Sequence, residues 1–320
     1  LFCAATLVVY VARALLIAFG GILLAIFLGF LADRLAELIQ IRRGWAFAIV
    51  AVGISFLLGV AGWVAMPRVA NQISDLIHAL PQTIQTVRND LSQREWGRTL
   101  LGYVPRLIAS SGVTGNLTTL GSRLFEGLED LVIIAVLGLY LGANPRPYFK
   151  GLLALFPKDD RDRGRDVLTE VAYTLRWWVI GQLIPMGVLG IVTGIGLYLL
   201  RVPLAFTLAL FTGFMIFIPF VGSVIALVVT LIVAIPQGMP TVLYVTLLFL
   251  GVHSAEGYLL TPLVQRRAVH VPPALSIMSQ VLMALLLGFF GLALATPLAA
   301  ATLVVVEMLY LNQRPEHHGG

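Results

Sequence analysis

Ala14–Ala32 is a run of 19 residues without a single charge. At ~1.5 Å per residue, a helix of that length crosses the ~30 Å hydrocarbon core of a bilayer. Inside a bilayer every backbone N–H and C=O must be satisfied by the protein, which leaves helices and closed barrels as spanning structures. Barrel strands need only about 10 residues of alternating character, so runs this long and this uniformly apolar point to helices. The rest of the chain agrees. Of 320 residues, 59% are apolar and 12% charged, about half the ~25% charged share of a soluble domain. That charge is too little to cover a soluble surface, so lipid must cover much of it. The expected fold class is an all-α integral membrane protein, multi-pass, in the cell inner or plasma membrane. A soluble enzyme and a disordered chain are excluded.

The spans follow from the apolar runs. Leu1–Val11 reads as the remnant of a first helix and Ala14–Ala32 as a second. Trp45–Met66 is a third, with Trp45 and Trp63 as interfacial anchors and Pro67 closing it. Leu131–Ala143 and Trp177–Leu200 are the fourth and fifth. The pattern then changes. Pro203–Ile218 and Phe220–Ile235 are each 16 residues, only ~24 Å as helices. Val242–Leu260 is a full span, and Pro273–Leu287 and Leu292–Tyr310 form a second pair. Each pair starts at a proline, Pro203 or Pro273, and breaks 18–19 residues later at a glycine, Gly222 or Gly291. Short segments interrupted by Pro and Gly at corresponding positions point to the discontinuous helices of a transporter. Re-entrant hairpins and kinked full spans both satisfy the pattern.

Net charge is +5, from 21 Lys and Arg against 16 Asp and Glu. The basic residues gather in two loops. One holds Arg34, Arg42 and Arg43; the other, between Asn144 and Arg176, holds seven. Both read as cytoplasmic. Parity then places the segment 67–130 outside. There Val69, Ile73, Leu76, Ile77, Leu80, Ile84, Val87 and Leu91 recur at steps of three and four, one amphipathic helical face with Pro81 as a kink. The expected organisation is N-terminal spans 1–66, this extracytoplasmic segment 67–130, a span plus basic loop 131–176, a transport core 177–313 and a polar tail 314–320. No basic cluster is interleaved with aromatics, so nucleic acid is not an expected partner.

Charges are scarce in the core. Glu256 lies inside an apolar run three residues after His253, which puts both on one helix face. An intramembrane carboxylate is costly and marks a candidate functional site. It can carry a proton, bind a cation or hydrogen-bond a hydroxylated solute; pairing with Arg266, Arg267 or His270 is the structural alternative. Gln182, Ser223, Thr230, Tyr258 and Thr261 are candidates for a polar path, or for helix-packing hydrogen bonds. Pro219, Gly222, Gly288 and Gly291 mark the breaks. Gly187, Gly190, Gly194 and Gly196 are expected to permit close helix approach. Enzyme constellations are missing: no Walker loop, no Gly-x-Ser-x-Gly elbow and no Cys/His ligand set occurs, and Cys3 is the single cysteine. No cofactor and no metal are expected.

Four motifs occur in order. They are Val202-Pro203; Phe217-Ile218-Pro219-Phe220-Val221-Gly222; Glu256-Gly257-Tyr258-Leu259-Leu260-Thr261-Pro262; and Gly288-Phe289-Phe290-Gly291 with Ala295-Thr296-Pro297-Leu298. Together they resemble the autoinducer-2 exporter (AI-2E) transporter family, over 181–301 most closely and over nearly the whole chain more weakly. Gln265 stands where members often have glycine, and Arg201 where they often have Gly or Asp. The resemblance implies about eight transmembrane helices, a cytoplasmic N-terminus, and a homo-oligomer, pentameric and elevator-like. It also implies export of a small uncharged polyhydroxylated signal, autoinducer-2. The alternatives are a sodium or lithium/proton antiporter, as some relatives are assigned, and a non-transporting membrane scaffold acting through 67–130.

Overall fold

The computed structural model describes residues 2–57, 59, 60, 62, 63, 67, 117–260 and 271–310. The amphipathic stretch of the segment 67–130, the loop residues Arg266, Arg267 and His270, Thr261, and the tail 314–320 lie outside the described residues. Among those described, every regular element is a helix. They are α1 (Phe2–Ile39), α2 (Arg43–Leu57), α3 (Leu117–Ala143), α4 (Pro145–Ala154), α5 (Arg161–Leu199), α6 (Ala205–Met215), α7 (Val221–Ala234), α8 (Met239–Ala255) and α9 (Pro273–Tyr310). Among the described residues, four stretches are long and apolar enough to cross a membrane: Tyr10–Ile39, Lys158–Leu199, Met239–Tyr258 and Pro273–Leu309. Glu129–Ala143 with Pro145–Ala154 makes a fifth, bent by 91°. The bend is local chemistry: Pro145 sets the first turn of α4 and keeps Asn144 out of the helical region.

The first two expected helices are one. α1 runs without interruption through Arg13 because the guanidinium has a partner: Arg13 Nη2 lies 2.8 Å from Asp130 Oδ2 on α3. Asp130 is buried, so each charge supplies the other's solvation. α3 likewise passes through Asp130 without a break, and the boundary expected at 130/131 falls inside a helix. Beyond the ion pair, α1 and α3 run parallel. Gly20 meets Ile134, Gly21 meets Leu137, and Gly138 meets Leu24. In lipid such contacts are the main source of association, since burying apolar surface gains little against an apolar solvent. α2 folds back on α1 after Gln40, which takes a left-handed φ of 58°. Leu28, Ala32, Ala46 and Phe47 pack there, and Arg43 pairs with Asp33 at 2.8 Å.

α5 is the central wall. Near its start Arg163 donates to the carbonyls of Met308 (2.9 Å) and Leu309 (2.7 Å), neutralising the open C-terminal end of α9. Further along, Leu175 and Val179 pack with Leu23 of α1 and Ala301 of α9. α5 therefore runs antiparallel to both. The end of the molecule holding Arg163, Arg34 and Arg43 is its basic end; Leu199 marks the far end.

Both short pairs are hairpins. α6 returns antiparallel along α5: Gly194 faces Ala209, Gly190 faces Gly213, and Trp178 makes a T-shaped contact with Phe217 at 5.5 Å. α7 then comes back, and Gln237 Nε2 donates to Arg201 O at 3.1 Å, joining the two ends. This hairpin enters from the far end with its tip, 216–220, pointing toward the basic end. The second lies within α9, which breaks at Gly288 (φ 67°, ψ −145°), a conformation open essentially to glycine alone. Gln280 Nε2 donates to Thr296 Oγ1 at 3.0 Å, and Ser276 Oγ lies 3.2 Å from it. A straight helix would hold residues 280 and 296 about 24 Å apart. α9 therefore doubles back, despite a length and composition suited to one crossing. Its second arm ends on Arg163, so its tip points toward the far end, opposite to the first.

Gly222 and Gly291 have one job at corresponding places. A Cβ on Gly222 would collide with Met215 O, and one on Gly291 with Met283 O. Each is the point where the returning arm touches the backbone of the outgoing one.

Candidate functional site

The first hairpin breaks at its tip in an identifiable way. α6 ends at Met215, leaving carbonyl groups without helical donors. Gln182 of α5 donates its Nε2 to Ile216 O. Pro219, which has no N–H, prevents the helix from resuming at once. Phe220 then adopts φ 63°, ψ −60°, and Val221 N donates to Pro219 O at 2.7 Å. This is a positive-φ γ-turn, a strained geometry for a residue with a side chain. Ser223 Oγ donates to Phe220 O at 3.1 Å and closes the turn. Trp178 and Gln182, one turn apart on α5, thus grip Phe217 and Ile216.

The tip lies against α8. Ile216, Leu189 and Val252 form one buried cluster, completed by Met186 and Leu248. His253 follows Val252. Its Nδ1 lies 2.9 Å from Glu256 Oε2 at the i,i+3 spacing. Both side chains are about a quarter exposed. His253 also packs at 5.9 Å on Phe249, while its Nε2 is buried with no hydrogen-bond partner among the described residues. At Glu256 the α-helix becomes a π-helix, Glu256–Leu260. Such widened turns gather at functional sites because they leave backbone groups out of the regular ladder. Chemically, a carboxylate bonded to an imidazole can take up or release a proton, or accept hydrogen bonds from hydroxyl groups.

The expected site residues divide accordingly. Gln182, Pro219, Gly222 and Ser223 meet at the first tip, and His253 and Glu256 stand beside it through the Ile216–Val252 contact. Ser223 serves the turn of its own hairpin. Thr230 bonds Ala226 O at 2.7 Å within α7, and Tyr258 is exposed. Gly288 and Gly291 build the other tip, within α9. Gly190, Gly194 and Gly196 permit the expected close approaches, but a Cβ on Gly187 would meet open space. Sequence reasoning missed three features: the Arg13–Asp130 pair, the π-helix, and the buried Ser276–Gln280–Thr296 cluster. The first had a signal, since Arg13 and Asp130 both flank apolar runs. The π-helix had none.

Long apolar helices, two oppositely directed broken hairpins on one wall, and an acid–imidazole pair beside one tip define a membrane transporter of helical build. The chain belongs to the AI-2E transporter family, whose model matches residues 1–310. Its relatives include sll0060 of Synechocystis sp., 25% identical with 87% of this chain and 83% of the relative covered, and YrrI of Bacillus subtilis, 25% identical with 84% and 80% covered. MT0215 of Mycobacterium tuberculosis is 30% identical over 57% of this chain and 51% of its own. All three are provisionally named as transport proteins. The protein is a transporter and not an enzyme.

Proposed function

We propose that this protein is a secondary transporter exporting a small, uncharged, polyhydroxylated solute, with autoinducer-2 as the first compound to test. The observation that carries the reading is the first hairpin tip. Its unwound backbone, capped by Gln182, lies next to the His253–Glu256 pair. Hydroxyl groups are satisfied by mixed donors and acceptors of this kind, and a single titratable pair beside them supplies a place for a coupling proton. The hairpin is tied to α5 by Gln182 and Trp178, so transport involves the tip shifting against the wall formed by α5 and the α1–α3 pair. A homo-oligomer with an elevator-like movement accords with this division between a mobile hairpin and a fixed frame.

Sodium or lithium/proton antiport is the second reading, favoured by the same carboxylate, which can exchange a proton for a cation. Flux in proteoliposomes separates the two. The expected result is autoinducer-2 movement that responds to an imposed pH gradient. Glu256→Gln is expected to abolish that response while the protein stays folded. Unchanged pH-dependent flux in the variant removes Glu256 from the mechanism. Proton movement driven by sodium or lithium, without autoinducer-2 flux, replaces the exporter by the antiporter.

A further inference from the structure

α5 and α6 enclose an open groove of 680 Å³ that runs from beside the first tip, at Met186 and Phe214, to the far end of α5. It is lined by Gly187, Gly190 and Gly194 of α5 and by Phe206, Leu210 and Phe214 of α6. The lining is apolar throughout. At the far end the wall residues Tyr198 and Ala205 flank the α5–α6 turn, where Arg201 N donates to Tyr198 O at 3.0 Å. Arg201 is the only Asp, Glu, Lys or Arg between Trp177 and Ala255. It is exposed and makes no ion pair among the described residues. Its backbone is also left-handed, φ 55°, a conformation better suited to Gly, Asn or Asp. Arg201 is thus an exposed cation, held against local backbone preference, in the turn between two residues that line the apolar groove, Tyr198 and Ala205.

We propose that this groove binds one anionic phospholipid, its acyl chain along Gly187–Gly194 and its phosphate on Arg201. The guanidinium matches a phosphate in charge and fork geometry. Gly187, whose Cβ position is open, leaves room there for a flexible chain. One wall of the groove is the outgoing arm of the first hairpin, so an occupied groove braces that arm against α5. The proposal does not depend on which solute is carried.

The test uses the full chain in nanodiscs and two probes, phosphatidylglycerol and phosphatidylcholine, each with a photoactivatable diazirine in the acyl chain. Adducts are mapped by mass spectrometry. The expected result is labelling of peptides covering 187–198 and 205–214, with phosphatidylglycerol favoured about fivefold, the scale of one basic residue near a membrane surface. Arg201→Gln should bring the two lipids to equality, and Arg201→Lys should keep most of the preference. Gly187→Leu, whose side chain enters open space, should reduce labelling by both lipids. Equal labelling by both lipids in the unaltered protein overturns the proposal, because lipid there is then only bulk lipid. Labelling that neither Arg201→Gln nor Gly187→Leu changes also overturns it. So does disulfide trapping of Phe206→Cys between two copies in place of lipid labelling, which makes the groove a subunit contact.

Discussion

The two hairpins share a sequence plan and differ in what holds them. The second turns on one residue, Gly288, and is stitched from within: Ser276, Gln280 and Thr296 are buried and bond across its arms. The first unwinds over 216–220, carries a strained Phe220 at half exposure, and takes its main polar support, Gln182, from a different helix. A hairpin zipped by its own side chains keeps its shape wherever it goes. One held by bonds to a neighbour changes shape or position when those bonds exchange. The comparison assigns bracing to the second hairpin and movement to the first.

The largest effect should come where the two are alike. Gly222→Val and Gly291→Val each drive a side chain into a carbonyl of the facing arm. Neither arm can yield without opening its hairpin, so each variant should lose at least about 3 kcal/mol, the upper range of overpacking. The check is thermal unfolding of the purified protein in detergent. Gly187→Val, with nothing near its Cβ, is the matched control and should unfold near the unaltered temperature. If all three behave alike, the hairpin geometry is wrong.

A smaller effect should separate the two. Thr296→Val removes the hydroxyl that accepts from Gln280 Nε2 and meets Ser276 Oγ. Leaving buried polar groups unpaired costs about 1–3 kcal/mol. Gln182→Leu removes the donor to Ile216 O, a bond that is only part-buried and costs less to lose. Thr296→Val should therefore lower the unfolding temperature more than Gln182→Leu, while Gln182→Leu should lower solute flux more than Thr296→Val. The opposite ordering in both measurements would reverse the roles of the hairpins.

Much of this was legible in the sequence, for physical reasons. The bilayer demands long charge-free helices, and Ala14–Ala32 and Trp177–Leu200 report that demand directly. Pro and Gly act through the backbone, so Pro203, Gly222, Pro273 and Gly291 marked both breaks. Hydropathy alone does not distinguish a returning arm from a crossing one, because both are equally apolar. That choice rests on cross-arm bonds such as Gln237 to Arg201 and Gln280 to Thr296. Arg13 shows the same limit. A charge between two apolar runs reads as a boundary until a partner 117 residues away, Asp130, is brought beside it. The His253–Glu256 pair was visible because i,i+3 spacing is local; its place beside Ile216 was not.

The smallest effect sharpens the comparison most. Phe220 holds a positive-φ γ-turn at the first tip, a strain of about 1–3 kcal/mol for a residue with a Cβ. Phe220→Gly relieves it, but restores backbone freedom to the unfolded chain, which costs about 0.5–1 kcal/mol. The side chain is half-exposed, so little packing is lost. The net change in stability should be stabilising and at most about 2.5 kcal/mol, the difference of those two effects. Flux should change far more than stability, because the strain makes the closed tip ready to open and its removal deepens one position of the hairpin. Thermal unfolding and solute flux on the same preparation check both halves. A tip that merely links two fixed arms would give the small stability gain and leave flux as it was. A tip that moves should give the same gain and a slower turnover.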